Sequence, residues 1–255
     1  MRYQSTTGLD CEQITELVVR VHDALGAHPK AMGRTPVLGL YRQVVLVLIL
    51  MRQNLTQTVA GEMFGVSQAT VSRTWRRLRP VLEQVTVRHR PPVTEAFTGR
   101  TVLVDGTDVP TGNRAGQDRN YAGKRHRQGL GVQIAADLGG MLLAVSGTVP
   151  GACHDRRAIS EVGWEELLGA TTWIADPAYQ GTSAITPTKR RPGMELSEDR
   201  AANNAVISGL RSAVERAIAH LKNWKMLAKG YRGLLDELPD VITTIGNLEF
   251  YRLGW

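Results

Sequence analysis

The chain has 255 residues, 42% hydrophobic and 22% charged, which is the balance of a globular protein with one large or two modest domains and excludes a disordered one. A net charge of +7 and a pI near 9.7 point toward a polyanionic partner. The two cysteines, Cys11 and Cys153, share no repeated spacing, so neither a disulfide framework nor a cysteine zinc site is implied. All but six of the 31 basic residues are arginine, which suits bidentate phosphate contacts, although a GC-rich genome gives the same bias.

Asp10 is a natural N-cap for a helix reaching Gly26, with Ile14, Leu17, Val18, Val21 and Leu25 on its buried face. His28-Pro29 breaks that pattern, and Pro36 opens a second helix to about Asn54. Its apolar run, Val44 to Met51, is too short to cross a bilayer, and the N-terminal residues lack a signal-peptide core. A soluble, intracellular protein is expected, cytoplasmic and nucleoid-associated if bacterial, with no membrane partner.

Residues 56–78 divide into a short helix with Val59, Ala60 and Met63 inside, a turn at Gly65-Val66-Ser67, and a second helix capped by Ser67. Val71, Trp75 and Leu78 face a core, leaving Ala69, Ser72, Arg73, Arg76 and Arg77 outward. That is the layout of a helix-turn-helix whose basic helix can enter a DNA groove. Pro80 and then Arg90-Pro91-Pro92 mark the end of the helical region. The predicted domains are therefore 1–92, helical, and 93–255, α/β.

From Arg100 short strands take over: Thr101 to Asp105, then Val132 to Ala136 and Met141 to Val149 around an Asp137–Gly140 hairpin turn. The loop between the first two holds Lys124 and Arg125 among its basic residues and can track a phosphate backbone or simply be solvated. A helix from Asp155, its expected N-cap, to Leu168 leads to a strand ending at Ala175. The basic loop Lys189–Gly193 precedes a long helix beginning near Ser197. This order predicts a mixed sheet with flanking helices.

Two acids, Asp105 and Asp176, each end a β-branched apolar run, where a carboxylate can project into a shared site. On the long helix, Ile207, Leu210, Val214, Ile218 and Leu221 form the apolar face. Beside it Ser208, Arg211, Glu215 and Lys222 fall within an arc of about 60° at 100° per residue. Read alone, Arg211 and Glu215 are an ordinary i,i+4 surface pair. Read with the two aspartates, Asp105, Asp176 and Glu215 make three hard oxygen donors of the kind a two-metal phosphoryl-transfer site uses.

Four segments carry a family resemblance: Val-Asp105-Gly-Thr, Pro150-Gly-x-x-His154-Asp155, Ala-Asp176-x-x-Tyr179-x-Gly181 and Arg211-x3-Glu215-x6-Lys222. In order and spacing they resemble the motifs of DDE transposases, nearest the bacterial insertion sequence 5 and eukaryotic Harbinger group. The likeness spans roughly Arg100 to Leu227, and a preceding helix-turn-helix is usual there. It implies a ribonuclease-H-like fold in which Asp105, Asp176 and Glu215 bind two divalent cations, Mg²⁺ or Mn²⁺. It further implies cutting of element ends and joining of a 3′-hydroxyl to target DNA, by at least a dimer on double-stranded DNA. Arg211 and Lys222 would neutralise phosphate charge, alongside Ser72, Arg73, Arg76, Arg77, Lys124 and Arg125 as DNA contacts. Asp108, His154 and Asp155 are candidates for a supporting shell, with turn carboxylate, loop residue and helix cap as their plainer readings. The family has a tyrosine where this chain has Ser208, and commonly a lysine where it has Pro177. Two other functions fit the sequence: a domesticated or inactive DNA-binding protein, and a metal-dependent endonuclease that cuts without joining.

Overall fold

The structure, a computed structural model, describes residues 3–26, 37–190, 193 and 195–255. The predicted break at His28-Pro29, the helix start at Pro36 and part of the basic Lys189–Gly193 loop lie outside the described residues.

In chain order the first helices are α1 (Tyr3–Thr7), α2 (Cys11–Gly26), α3 (Leu40–Gln53), α4 (Gln57–Phe64), α5 (Gln68–Thr86) and α6 (Val93–Phe97). Strands β1 (Val102–Pro110), β2 (Tyr121–Ala122), β3 (Arg127–Ala136) and β4 (Leu142–Pro150) follow. Then come α7 (Asp155–Glu161), α8 (Glu165–Gly169), β5 (Trp173–Ile174), α9 (Glu198–Lys222), α10 (Lys225–Ala228) and α11 (Leu238–Leu253). None of the described helices is long and apolar enough to cross a membrane. Two compact units result: Met1–Arg90 with Leu221–Trp255, and Pro91–His220.

The first unit is all helical. Asp10 opens α2 with a reciprocal cap, its Oδ1 accepting from Gln13 N at 2.8 Å while Gln13 Oε1 accepts from Asp10 N at 3.2 Å. Ile14, Leu17 and Val21 are buried, whereas Val18 and Leu25 are only half-buried. The unit's centre is α5, which packs against α2, α3, α4 and α11. Pro80 lies inside α5 rather than ending it. A proline removes one backbone donor, and burial of Leu78 and Leu82 on either side outweighs that loss.

Residues 221–255 follow the sheet in the chain but pack with the helical unit. The reason is α11, whose Val241, Ile242, Ile245, Leu248 and Phe250 are all buried, so that it requires cover on several sides. Polar contacts fix its register: Arg79 on α5 reaches Asp240 at 3.3 Å and Thr244 Oγ1 at 3.3 Å. Glu249, 2% exposed, accepts from Trp224 Nε1 at 2.9 Å and from Arg252 at 2.6 and 3.0 Å, so the buried carboxylate is fully engaged.

The second unit is built on a mixed sheet. β1 and β3 pair antiparallel from Leu103↔Ala136 to Pro110↔Gly129, β4 pairs antiparallel on the far side of β3, and β5 pairs parallel to β1. The order β4-β3-β1-β5 is ribonuclease-H-like: a three-stranded antiparallel meander, then a helical crossover to a parallel strand. β2 forms a two-residue ladder with the start of β3. Helices α6 and α7 flank β4 and β3. The predicted single helix from Asp155 to Leu168 is two, α7 and α8, separated at Gly163, which takes φ +73°.

Candidate active site

Asp105 stands in the middle of β1, not at a strand end. The polar run Gly106-Thr107-Asp108 continues the strand because β3 supplies a full ladder beside it. Parallel pairing of Leu103 with Ile174 carries the same offset two residues on and brings Asp176 level with Asp105. Asp176 Oδ1 then accepts from Ala178 N at 2.8 Å, capping a single 3-10 turn, Pro177–Tyr179. Pro177 occupies the first position of that turn, where a missing N–H costs nothing.

Asp155 is the surprise of the site. His154, not Asp155, is the N-cap residue of α7, and the Asp155 carboxylate turns inward to Gln133 and to the backbone of Gly106. A Cβ at Gly106 would overlap Asp155 Oδ1 and stand 3.2 Å from its Cγ and 3.3 Å from Gln133 Nε2, so glycine is what lets this carboxylate approach β1. Gln133, 1% exposed, accepts a hydrogen bond from the Tyr179 hydroxyl and donates to Asp155, which fixes its amide orientation.

Electrostatics show that these groups share one space. Burial pushes the Asp105 carboxyl up to about 6; Arg211 pulls against that shift, while Asp176 and Asp155 add to it. Burial likewise raises Asp155, reinforced by Asp176 and opposed by Lys124, Gln133 and Arg125. The Tyr179 hydroxyl is pushed far above its ordinary range by burial and then by Asp155, Asp105 and Asp176. The three aspartates, Gly106, Gln133, Lys124, Arg125, His154 and Arg211 line one cleft of about 360 Å³.

Glu215 stands apart from that lining: its side chain is 59% exposed, and it meets Arg211 at 3.9 Å. Arg211, 16% exposed, also contacts Asp105 Oδ2 at 3.4 Å, so it links the first and third predicted carboxylates. On the buried side of α9 lie Ala213, Val214, Ala217 and Leu221, while Ile207, Leu210 and Ile218 are half-buried and Ser208 is exposed. Lys222 falls in the helical unit, where its Nζ donates to Leu227 O at 3.2 Å.

Asp108 is a buried strand residue rather than a turn carboxylate. Arg127 donates to its Oδ2 at 2.7 and 3.0 Å, and Arg125 pairs with its Oδ1 at 2.7 Å. Arg125 is thus held by a protein carboxylate, a role composition did not suggest. Cys153 is half-buried, and burial raises its thiol above the ordinary range.

Among the described residues, no three His, Cys, Asp or Glu side chains are grouped closely enough to hold one metal ion. In kind, however, the donors fit a hard dication: Asp105 and Asp176 supply carboxylate oxygens whose repulsion in the cleft added positive charge would relieve, and Glu215 is a third oxygen donor that stands outside the lining.

In the helical unit, α4 and α5 form the helix-turn-helix. Thr56 caps α4 by accepting from Val59 N at 3.3 Å; Gly65 ends it at φ +68°; Ser67 caps α5 by accepting from Thr70 N at 3.3 Å. Val71, Trp75 and Leu78 are buried as predicted. Val59 and Met63 are not: they are 42% and 60% exposed, because α4 is only two turns long and Ala60 and Gly61 already fill its inner face. Arg73 and Arg76 are exposed, Ser72 is half-buried, and Arg77 bonds Gln43 on α3.

The mixed sheet and its acidic cleft are those of an α/β domain with a ribonuclease-H-like strand order, and the chain belongs to the DDE superfamily endonucleases, matching that family over residues 104–248. Residues 36–87 match the helix-turn-helix of DDE superfamily endonuclease. It is 32% identical over 224 residues to the putative transposase for insertion sequence element IS112 of Streptomyces albus G, covering 87% of this chain and 83% of that protein. It is 28% identical over 215 residues to the probable transposase for IS702 of Microchaete diplosiphon, covering 80% of this chain and 77% of that one. No solved structure matches it.

Proposed function

We propose that this endonuclease is the transposase of an insertion sequence of the insertion sequence 5/Harbinger group, cutting element ends and joining the freed 3′-hydroxyl to target DNA. The observation that carries the reading is the convergence of Asp105, Asp155 and Asp176 on one cleft beside Arg211, in a chain whose relatives are named as transposases. Asp105, Asp176 and Glu215 are the residues that would hold two Mg²⁺ or Mn²⁺ ions. When bound, such ions supply Lewis-acid polarisation of the phosphoryl group and a more acidic attacking hydroxyl.

The chain's own groups do the rest. Exposed Arg73 and Arg76 on α5 hold the duplex through its phosphates. Arg211 and Lys124 line the cleft and offset charge on a phosphate there. Tyr179 and Gln133 hold Asp155 from beneath, so that its carboxylate is oriented before DNA arrives. Paired ends require at least a dimer on DNA.

One observation favours the reading of a DNA-binding protein without catalysis: Glu215 pairs with Arg211 instead of lining the cleft. The two are separated by assaying cleavage and strand joining on labelled DNA carrying the gene's own flanking ends, with Mg²⁺ or Mn²⁺, for the natural chain and Glu215→Gln. Metal-dependent joining lost in the variant is the expected result. Binding without cutting by either protein would discard the catalytic reading, and cutting without joining would leave an endonuclease.

A further inference from the structure

The turn between β2 and β3 carries four consecutive residues, Gly123-Lys124-Arg125-His126, closed by Arg125 N donating to Ala122 O at 3.0 Å, with His126 at φ +50°. Two rungs, Tyr121↔Gln128 and Ala122↔Arg127, are all the ladder that supports it, and so short a ribbon does not hold its tip in place alone. What holds it is Asp108. The carboxylate is buried, and both oxygens are engaged: Arg125 from the tip at 2.7 Å, Arg127 from the base at 2.7 and 3.0 Å. Both guanidiniums are nearly half exposed, so they gain order from the pairing while one buried acid gains two cations.

Lys124 precedes both arginines in the turn; it is exposed and lines the cleft beside Arg125, and its charge acts on Asp155 more strongly than that of Arg125, which is tied to Asp108. We infer that Asp108 is a positioning residue: it clamps the β2–β3 turn at the rim of the acidic cleft so that Lys124, and not its arginine neighbours, meets the DNA phosphate entering there. The inference rests on the reading that DNA enters this cleft. Asp105 and Asp108 then divide the labour of one strand, the first facing the chemistry and the second fixing the cation beside it.

Two measurements on the full chain test this. Hydrogen exchange on the free protein reads the clamp alone: in Asp108→Asn, amides of Ala122–Gln128 should exchange at least about tenfold faster while α5 amides are unchanged. Wild-type protection in that stretch would overturn the clamp. Salt dependence of duplex binding reads the lysine, since one lost phosphate contact lowers the slope of log K against log salt by about 0.9. Lys124→Ala and Asp108→Asn should each lower it by that amount, the double variant no further, and Asp108→Glu should restore it. Additive slopes, or no change in Asp108→Asn, would overturn the positioning role. If Asp108→Asn fails to fold, Arg125→Ala cuts the tip's tie to Asp108 from the other side and must give the same two results. Should the wild type bind but never cut, with these slopes intact, the proposed catalysis fails and the clamp stands.

Discussion

Replacing Gly106 by alanine perturbs the cleft with one methyl group. The new Cβ would overlap Asp155 Oδ1 and crowd Asp155 Cγ at 3.2 Å, so the carboxylate must rotate away and lose its bond from Gln133. A hydrogen bond to a charged group contributes about 1.5–3 kcal/mol, and alanine returns about 0.5–1 kcal/mol over glycine within a strand. The net destabilisation is about 1–2 kcal/mol, which for a chain of this size lowers Tm by about 2–8 °C. The functional effect should be larger in proportion, because Asp155 faces Asp105 and Asp176 directly: single-turnover cleavage should fall at least about tenfold, equivalent to about 1.4 kcal/mol of barrier. Duplex affinity should not move, because the change removes no cationic group. An alanine variant with wild-type Tm and cleavage rate would show that the close approach of Asp155 to β1 has no consequence.

Tyr179→Phe leaves the buried Gln133 carbonyl without its donor and should cost about 1–3 kcal/mol, seen as a lower midpoint in urea; an unchanged midpoint would mean the amide finds another partner. Arg76→Ala should weaken duplex binding and reduce its salt slope by about 0.9, whereas Val59→Ala, at an exposed position, should leave both unchanged. Glu16 is held below its ordinary value near 4.5, first by the Tyr251 hydroxyl and then, against burial, by Arg20. Its folded value is depressed, so its contribution to stability is complete above that ordinary value and is lost as pH falls through the folded one. Glu16→Gln should flatten that acid limb of the stability curve, and an identical limb in the variant would refute the pairing.

Much of this was legible from residue types whose physics is local. Asp10, Thr56 and Ser67 cap helices because a short oxygen side chain beside a helical run has few better uses. Asp105 and Asp176 stood out as acids closing β-branched apolar runs, whereas the parallel pairing that brings them level is a tertiary feature. Other features depend on tertiary partners that sequence does not display. Asp155 has the residue type and position of a cap, and only the missing Cβ at Gly106 across the sheet draws it inward. Gln133 sits in an apolar run, and its one signal was being polar there. Asp108 reads as a turn residue until β3 extends β1 past it and Arg125 and Arg127 close on it. The apolar faces of α11 announce burial but not against which helices, so the packing of residues 221–255 with the helical unit is not legible in the sequence.

Asp105 lines the cleft, touched by Arg211 and acted on by both other aspartates. Single-turnover cleavage of DNA bearing the gene's flanking ends, compared between the natural chain and Asp105→Asn with duplex affinity measured alongside, is therefore decisive. The variant should bind as tightly as the natural chain and cut not at all. Cutting by Asp105→Asn at the wild-type rate would mean that the phosphodiester chemistry takes place somewhere other than this cleft.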